Sequence, residues 1–166
     1  MAFQSESLAL VPLPGAVRVG RQYTLATLRG WGYRDERFES DVELVVSELL
    51  TNSIQALEGT YEPHHTTTLL SKQSLIRITL IKTDETLHVE VWDPAPRMPR
   101  IRDRVSADSI TGRGLEIVDA LAESVGWRAP YDGLPPEGKV VFAILALPDK
   151  PPCESGPQGD RFTRVP

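Results

Sequence analysis

An α+β fold is predicted by three observations. Two helically spaced apolar runs stand near the start of the chain, a β-hairpin follows them, and an alternating apolar strand lies near the end. Residues 5–12 read as a short strand ended by Pro12 and Pro14. Residues 15–31 read as a helix, with Val17, Tyr23, Leu25, Leu28 and Trp31 at roughly helical spacing and Gly30 and Gly32 at its end. Asp35 or Ser40 could cap a second helix that runs to Leu57 and stops at Gly59. Its core stripe is expected to be Val42, Val46, Leu49, Leu50 and Leu57, beside a stripe of Asp41, Val45, Glu48, Asn52 and Gln55.

Residues 59–73 are polar and read as a loop. Two strands follow, Leu75–Thr83 and Thr86–Trp92, joined by a tight Asp84-Glu85 turn. In the second, Leu87, Val89 and Val91 alternate with His88 and Glu90, which predicts one buried face. Residues 94–111 carry Pro94, Pro96 and Pro99 with four arginines, and no regular element is expected there. Gly112-Arg113-Gly114 opens a helix over Leu115–Val125, and residues 139–147 form a last strand. One domain is expected over 1–147, with a disordered proline-, glycine- and charge-rich tail over 148–166.

The chain has 166 residues, 40% of them hydrophobic and 25% charged, which suits a soluble domain with a real core. The net charge of −5 argues against direct nucleic-acid binding, which calls for a basic patch. Cys153 is the sole cysteine, so no disulfide closes within the chain. No apolar stretch is long enough to span a membrane, and the start lacks a basic signal region. A cytoplasmic protein is expected.

Three places carry possible chemistry. Glu48 and Asn52 lie one turn apart on one helix face, inside an apolar run. A charge there either reaches solvent or has a partner that justifies it. Asp93 ends a strand, where a buried carboxylate could accept a hydrogen bond from an exocyclic amine; an aspartate before proline could equally start a turn. Gly112-Arg113-Gly114 at a helix start could let backbone N–H groups approach an anion, or serve as a linker.

In this order the motifs resemble the GHKL ATPase superfamily. Within it, the short single-domain form looks like the anti-sigma-factor serine kinases, whose first motif is similar to Ser47-Glu48-Leu49-Leu50-Thr51-Asn52-Ser53. The likeness covers about residues 5–147. It implies the Bergerat ATP-binding fold: a two-layer α/β sandwich with a mixed, mainly antiparallel sheet and helices on one face. It also implies ATP and Mg²⁺ as ligands. Asn52 would be the metal ligand, Glu48 the general base, and Asp93 the reader of the adenine amine. Gly112 and Gly114 would present N–H groups to the phosphates, with Arg113 and Leu115 in the same stretch. The partners implied are a STAS-domain anti-sigma antagonist and a sigma factor, with the chain as a homodimer and a role in transcription regulation.

One departure stands out. The family's Asp-x-Gly-x-Gly is here Asp93-Pro94-Ala95-Pro96-Arg97, with both glycines gone. Proline fixes φ and removes a donor, so this segment is stiffer and offers fewer N–H groups. Two residues get unremarkable expectations. Lys139 could touch phosphate but is expected to cap a solvent-facing strand end. Trp31, Trp92 and Trp127 are expected in or at the edge of the core.

Overall fold

The computed structural model describes residues 3–57, 75–96 and 114–149. The elements are β1 (Gln4–Leu10), α1 (Gly15–Gly30), α2 (Glu36–Leu57), β2 (Ile76–Lys82), β3 (Thr86–Asp93), α3 (Gly114–Leu121), β4 (Ser124–Arg128) and β5 (Lys139–Ala146). The strands form one sheet in the order β1-β2-β3-β5-β4. Among the described residues every pairing is antiparallel, where a mixed, mainly antiparallel sheet was expected. All three described helices contact the sheet or one another, as in the expected two-layer α+β arrangement.

Period-two alternation makes the sheet's helix-facing side apolar. Ile76, Ile78 and Leu80 of β2, Leu87, Val89 and Val91 of β3, and Val141, Ala143 and Leu145 of β5 are buried in one core. The expected stripe of α2 (Val42, Val46, Leu49, Leu50 and Leu57) is buried with them. Val45 joins the stripe, while Glu48 and Asn52 remain half-buried at its border.

Local chemistry sets the helix ends. Of the two expected caps, Asp35 is the one used: its Oδ1 accepts the Phe38 N–H at 2.7 Å, satisfying a donor with no partner inside the helix. Gly32 at φ 91° turns the chain after α1, where Tyr33 N–H donates to Leu28 O at 3.0 Å. The Arg29 guanidinium bonds both Glu39 oxygens at 2.7 and 2.8 Å, tying the end of α1 to the start of α2. That partner holds the Glu39 carboxyl below its ordinary range. Gly20 sets the α1–α2 spacing, because a side chain there would run into the tip of Leu50.

The last third departs from expectation. The helix expected over Leu115–Val125 ends at Leu121, and Ser124–Arg128 forms a strand on β5. Gly126 favours that outcome: a Cβ there would meet the Phe142 ring at 2.8 Å, and glycine is a poor residue for a helix interior. Trp127 lies on this edge strand 45% exposed, not in the core. Trp92 is buried on the outer face, where its Nε1–H donates to Glu137 O at 3.1 Å. Beside it, buried Glu90 accepts from Arg128 at 2.5 Å and Tyr131 at 2.9 Å. The segment between β4 and β5 thus covers part of the outer face. No described helix is long and apolar enough to cross a membrane.

The Asp35 cap and the Leu49 core position can be separated by chemical denaturation. Asp35→Ala should lower stability by about 1 kcal/mol. Leu49→Ala should cost about 3 kcal/mol, as expected for a fully buried leucine replaced by a partly collapsed cavity.

Candidate functional site

Helix α2 connects the expected site residues. Glu48 lies at its middle, where its carboxylate packs against Gly114, the first residue of α3. The approach is so close that a Cβ on Gly114 would overlap Glu48 Oε2. Glycine at 114 lets the Glu48 carboxylate take this position, which a side chain there would displace, and Leu115 follows in the first turn of α3. Unbonded backbone N–H groups and the helix dipole make such a start attractive to anions. Gly112 and Arg113 lie outside the described residues, as do the 59–73 loop and the arginines after Pro96.

One turn beyond Glu48, Asn52 points its carboxamide inward. Its Nδ2 is buried and has no hydrogen-bond partner among the described residues. A buried amide left unpaired costs about 1–3 kcal/mol, so a polar ligand at this spot would recover stability. Ser53, the next residue, donates from Oγ to Asp93 Oδ2 at 3.1 Å. The helix thus reaches α3 through Glu48 and the end of β3 through Ser53.

Asp93 extends the inward row Leu87, Val89, Val91 by one more step of two. It is completely buried. Its Oδ1 accepts Lys139 Nζ at 2.6 Å and the Ala95 N–H at 3.0 Å. Lys139 stands directly opposite Asp93 in the β3–β5 register, and it too is buried, at 3% exposure. Its Nζ also reaches Ala95 O at 3.3 Å. The expectation of a solvent-facing Lys139 is therefore wrong. The inward row Lys139, Val141, Ala143, Leu145 carries the lysine to the helix side, and the carboxylate holds it there. Burial pushes the Asp93 carboxyl above its ordinary range, opposed by Lys139, Ala95 N–H and Ser53.

The altered segment after Asp93 has a visible consequence. Ala95 is buried and its N–H is spent on the aspartate itself. Gly138, at φ 90°, lets the start of β5 pass against the Asp93 carbonyl, where a Cβ would lie only 2.7 Å from Pro94 Cα. Sequence reasoning missed Ser53 and the burial of Lys139. Lys139 was expected to face solvent, and its place opposite Asp93 comes from the β3–β5 register.

The residues fit a nucleotide with its metal. The buried Asp93 is an acceptor that suits a base amine, and the unpartnered Asn52 Nδ2 is a donor that suits a phosphate oxygen, leaving the Oδ1 of the same carboxamide as the atom that would take the metal. Among the described residues no group of three His, Cys, Asp or Glu could cage a metal. That suits Mg²⁺, which takes one or two protein oxygens together with phosphate oxygens and waters. A separate cleft of about 330 Å³ lies on the outer face, lined by Arg77, Trp92, Gly133 and Pro135 among others.

No curated protein matches the chain. A family model described as the histidine kinase-like ATPase domain matches residues 10–144, which spans β1's last residue through most of β5 and includes Glu48, Asn52, Asp93 and Gly114. By that match over most of the chain, and with an architecture that agrees with it, the chain belongs to the histidine kinase-like ATPase domain family.

Proposed function

We propose that the chain is an ATP-dependent serine/threonine protein kinase of the anti-sigma-factor type, which phosphorylates a STAS-domain antagonist and sequesters a sigma factor, acting as a homodimer. The observation that carries this reading is the position of Glu48. Its carboxylate stands against the N-terminus of α3, on the same helix as Asn52 and beside the Ser53–Asp93 contact. A base next to the anion-binding start of a helix is the arrangement phosphoryl transfer needs, since that chemistry is mostly positioning and charge stabilisation.

Each residue has a distinct task. Asp93 accepts the base amine, Asn52 offers its amide oxygen to Mg²⁺, and the N–H groups of Gly114 and Leu115 face the phosphates. Bound Mg²⁺–ATP supplies the transferable γ-phosphoryl group. Glu48 takes the proton of the partner's serine hydroxyl as that oxygen bonds to the γ-phosphorus, while the bond to the ADP oxygen breaks.

A second reading draws on Ala95. The N–H that follows Asp93 is turned to the aspartate, so it is not free for phosphate. Here the chain is a nucleotide-gated binding module without transfer, in which bound ATP selects a conformation that a partner recognises.

Incubation with ATP, Mg²⁺ and STAS-domain partners separates the two. Glu48→Gln keeps the shape beside Gly114, so it should retain ATP binding and lower transfer by about 10²-fold or more. Tight ATP binding by the wild type, with no transfer to any such partner, would leave the module reading standing and remove the kinase. Asn52→Ala should abolish the gain in nucleotide affinity that Mg²⁺ confers, as read by calorimetry with and without the metal. An unchanged Mg²⁺ effect would show that the metal is held elsewhere.

A further inference from the structure

We propose that Lys139 is the internal counter-ion that keeps Asp93 an ionised, oriented acceptor for the base amine, so that removing its charge makes nucleotide binding depend on pH across the neutral range. The inference rests on the reading of Asp93 as the base-recognising carboxylate. It adds a positioning residue that acts through Asp93.

The geometry is specific. Lys139 Nζ lies 2.6 Å from Asp93 Oδ1, with side-chain exposures of 3% and 1%. The two residues are cross-strand neighbours, so the pair is fixed by backbone register and not by a flexible surface contact. Gly138 brings the start of β5 against the Asp93 carbonyl, a closeness that any side chain at 138 would prevent. Lysine is strongly hydrated in water, and burying it with a carboxylate seldom stabilises a fold relative to apolar residues of similar size. The arrangement therefore asks for a role beyond stability.

Counting acceptor sites supplies that role. A carboxylate offers about four. On Oδ1, Lys139 and the Ala95 N–H occupy two; on Oδ2, Ser53 occupies one. Among the described residues, one position on Oδ2 has no donor and is open to an incoming N–H. The lysine engages the far oxygen, so it holds the charge without competing for that position. A protonated Asp93 would carry a hydrogen on one of these oxygens and lose acceptor capacity where the amine must bind.

Among the described residues no other charged side chain contacts Asp93. From β5 the charged group at Asp93 is Lys139, and from α2 it is met by the neutral Ser53 hydroxyl. Glu48 on α2 is turned to Gly114, and Glu116 in the first turn of α3 is exposed. Desolvation already favours the protonated form, and Lys139 heads the influences that oppose it. Loss of the lysine charge leaves burial to prevail.

The test uses the full chain and two readouts. The first is the titration midpoint of the Asp93 carboxyl carbon by NMR, without nucleotide. Lys139→Met should move it upward by more than one pH unit, whereas Lys139→Arg should leave it near the wild-type value. The second is calorimetric affinity for ATP with Mg²⁺ between pH 6 and 8.5. The wild type and Lys139→Arg should be nearly flat, and Lys139→Met should lose about tenfold per pH unit below its midpoint. If Lys139→Met does not fold, Lys139→Gln carries the same expectation. A Lys139→Met midpoint equal to wild type overturns the counter-ion role whatever the nucleotide does. A shifted midpoint with a wild type that binds no ATP overturns the base-reading role of Asp93 instead.

Discussion

Asp93 is a carboxylate withdrawn from water at the end of an apolar strand row, and that constraint shapes everything around it. An ionised group in such a place must be surrounded by donors or give up its charge. The chain provides three donors from three places: Ser53 from α2, Lys139 from β5 and the Ala95 backbone from the segment after β3. These contacts tie together the β3–β5 register, the approach of α2 to the end of the central strand β3 and the course of the chain after Asp93. The burial acts against the fold at neutral pH. A carboxyl that keeps its proton to higher pH when folded than when unfolded loses relative stability as pH rises from the unfolded to the folded midpoint. Stability alone does not account for it; recognition of a base amine, the role proposed for Asp93, would.

The second organising contact is between Glu48 and Gly114. Glycine at the helix start leaves room for it, and it brings a carboxylate to where the dipole of α3 is positive. The two contacts lie on one helix. The roles proposed for Asp93 and Glu48 would therefore be linked through a well-packed element whose core stripe is buried. Asn52 stands between them with an unspent carboxamide.

Much of this was legible before any coordinates, for reasons particular to each element. Helix α2 was readable because its apolar stripe is long and strictly spaced, and β3 because its alternation is clean. The same alternation put Asp93 inward. What failed were features that depend on distant parts of the chain. Val125 and Trp127 suit a strand only when β5 is there to pair with, and the preceding apolar residues mimic a continuing helix. Lys139 looks like a solvent-facing strand end until the register sets it opposite Asp93. Ala95 looks like a simple loss of glycine, yet its N–H has a new partner in Asp93. Local pattern reveals faces; it does not reveal which residues of two strands meet.

The measurement that bears most directly on this account is a crystal structure of the chain with a non-hydrolysable ATP analogue and Mg²⁺. The account predicts the adenine amine about 3 Å from Asp93 Oδ2. It also predicts Lys139 still on Oδ1, the Asn52 amide oxygen on the metal and the phosphates at the start of α3. A nucleotide bound away from Asp93, or a metal held without Asn52, would contradict it.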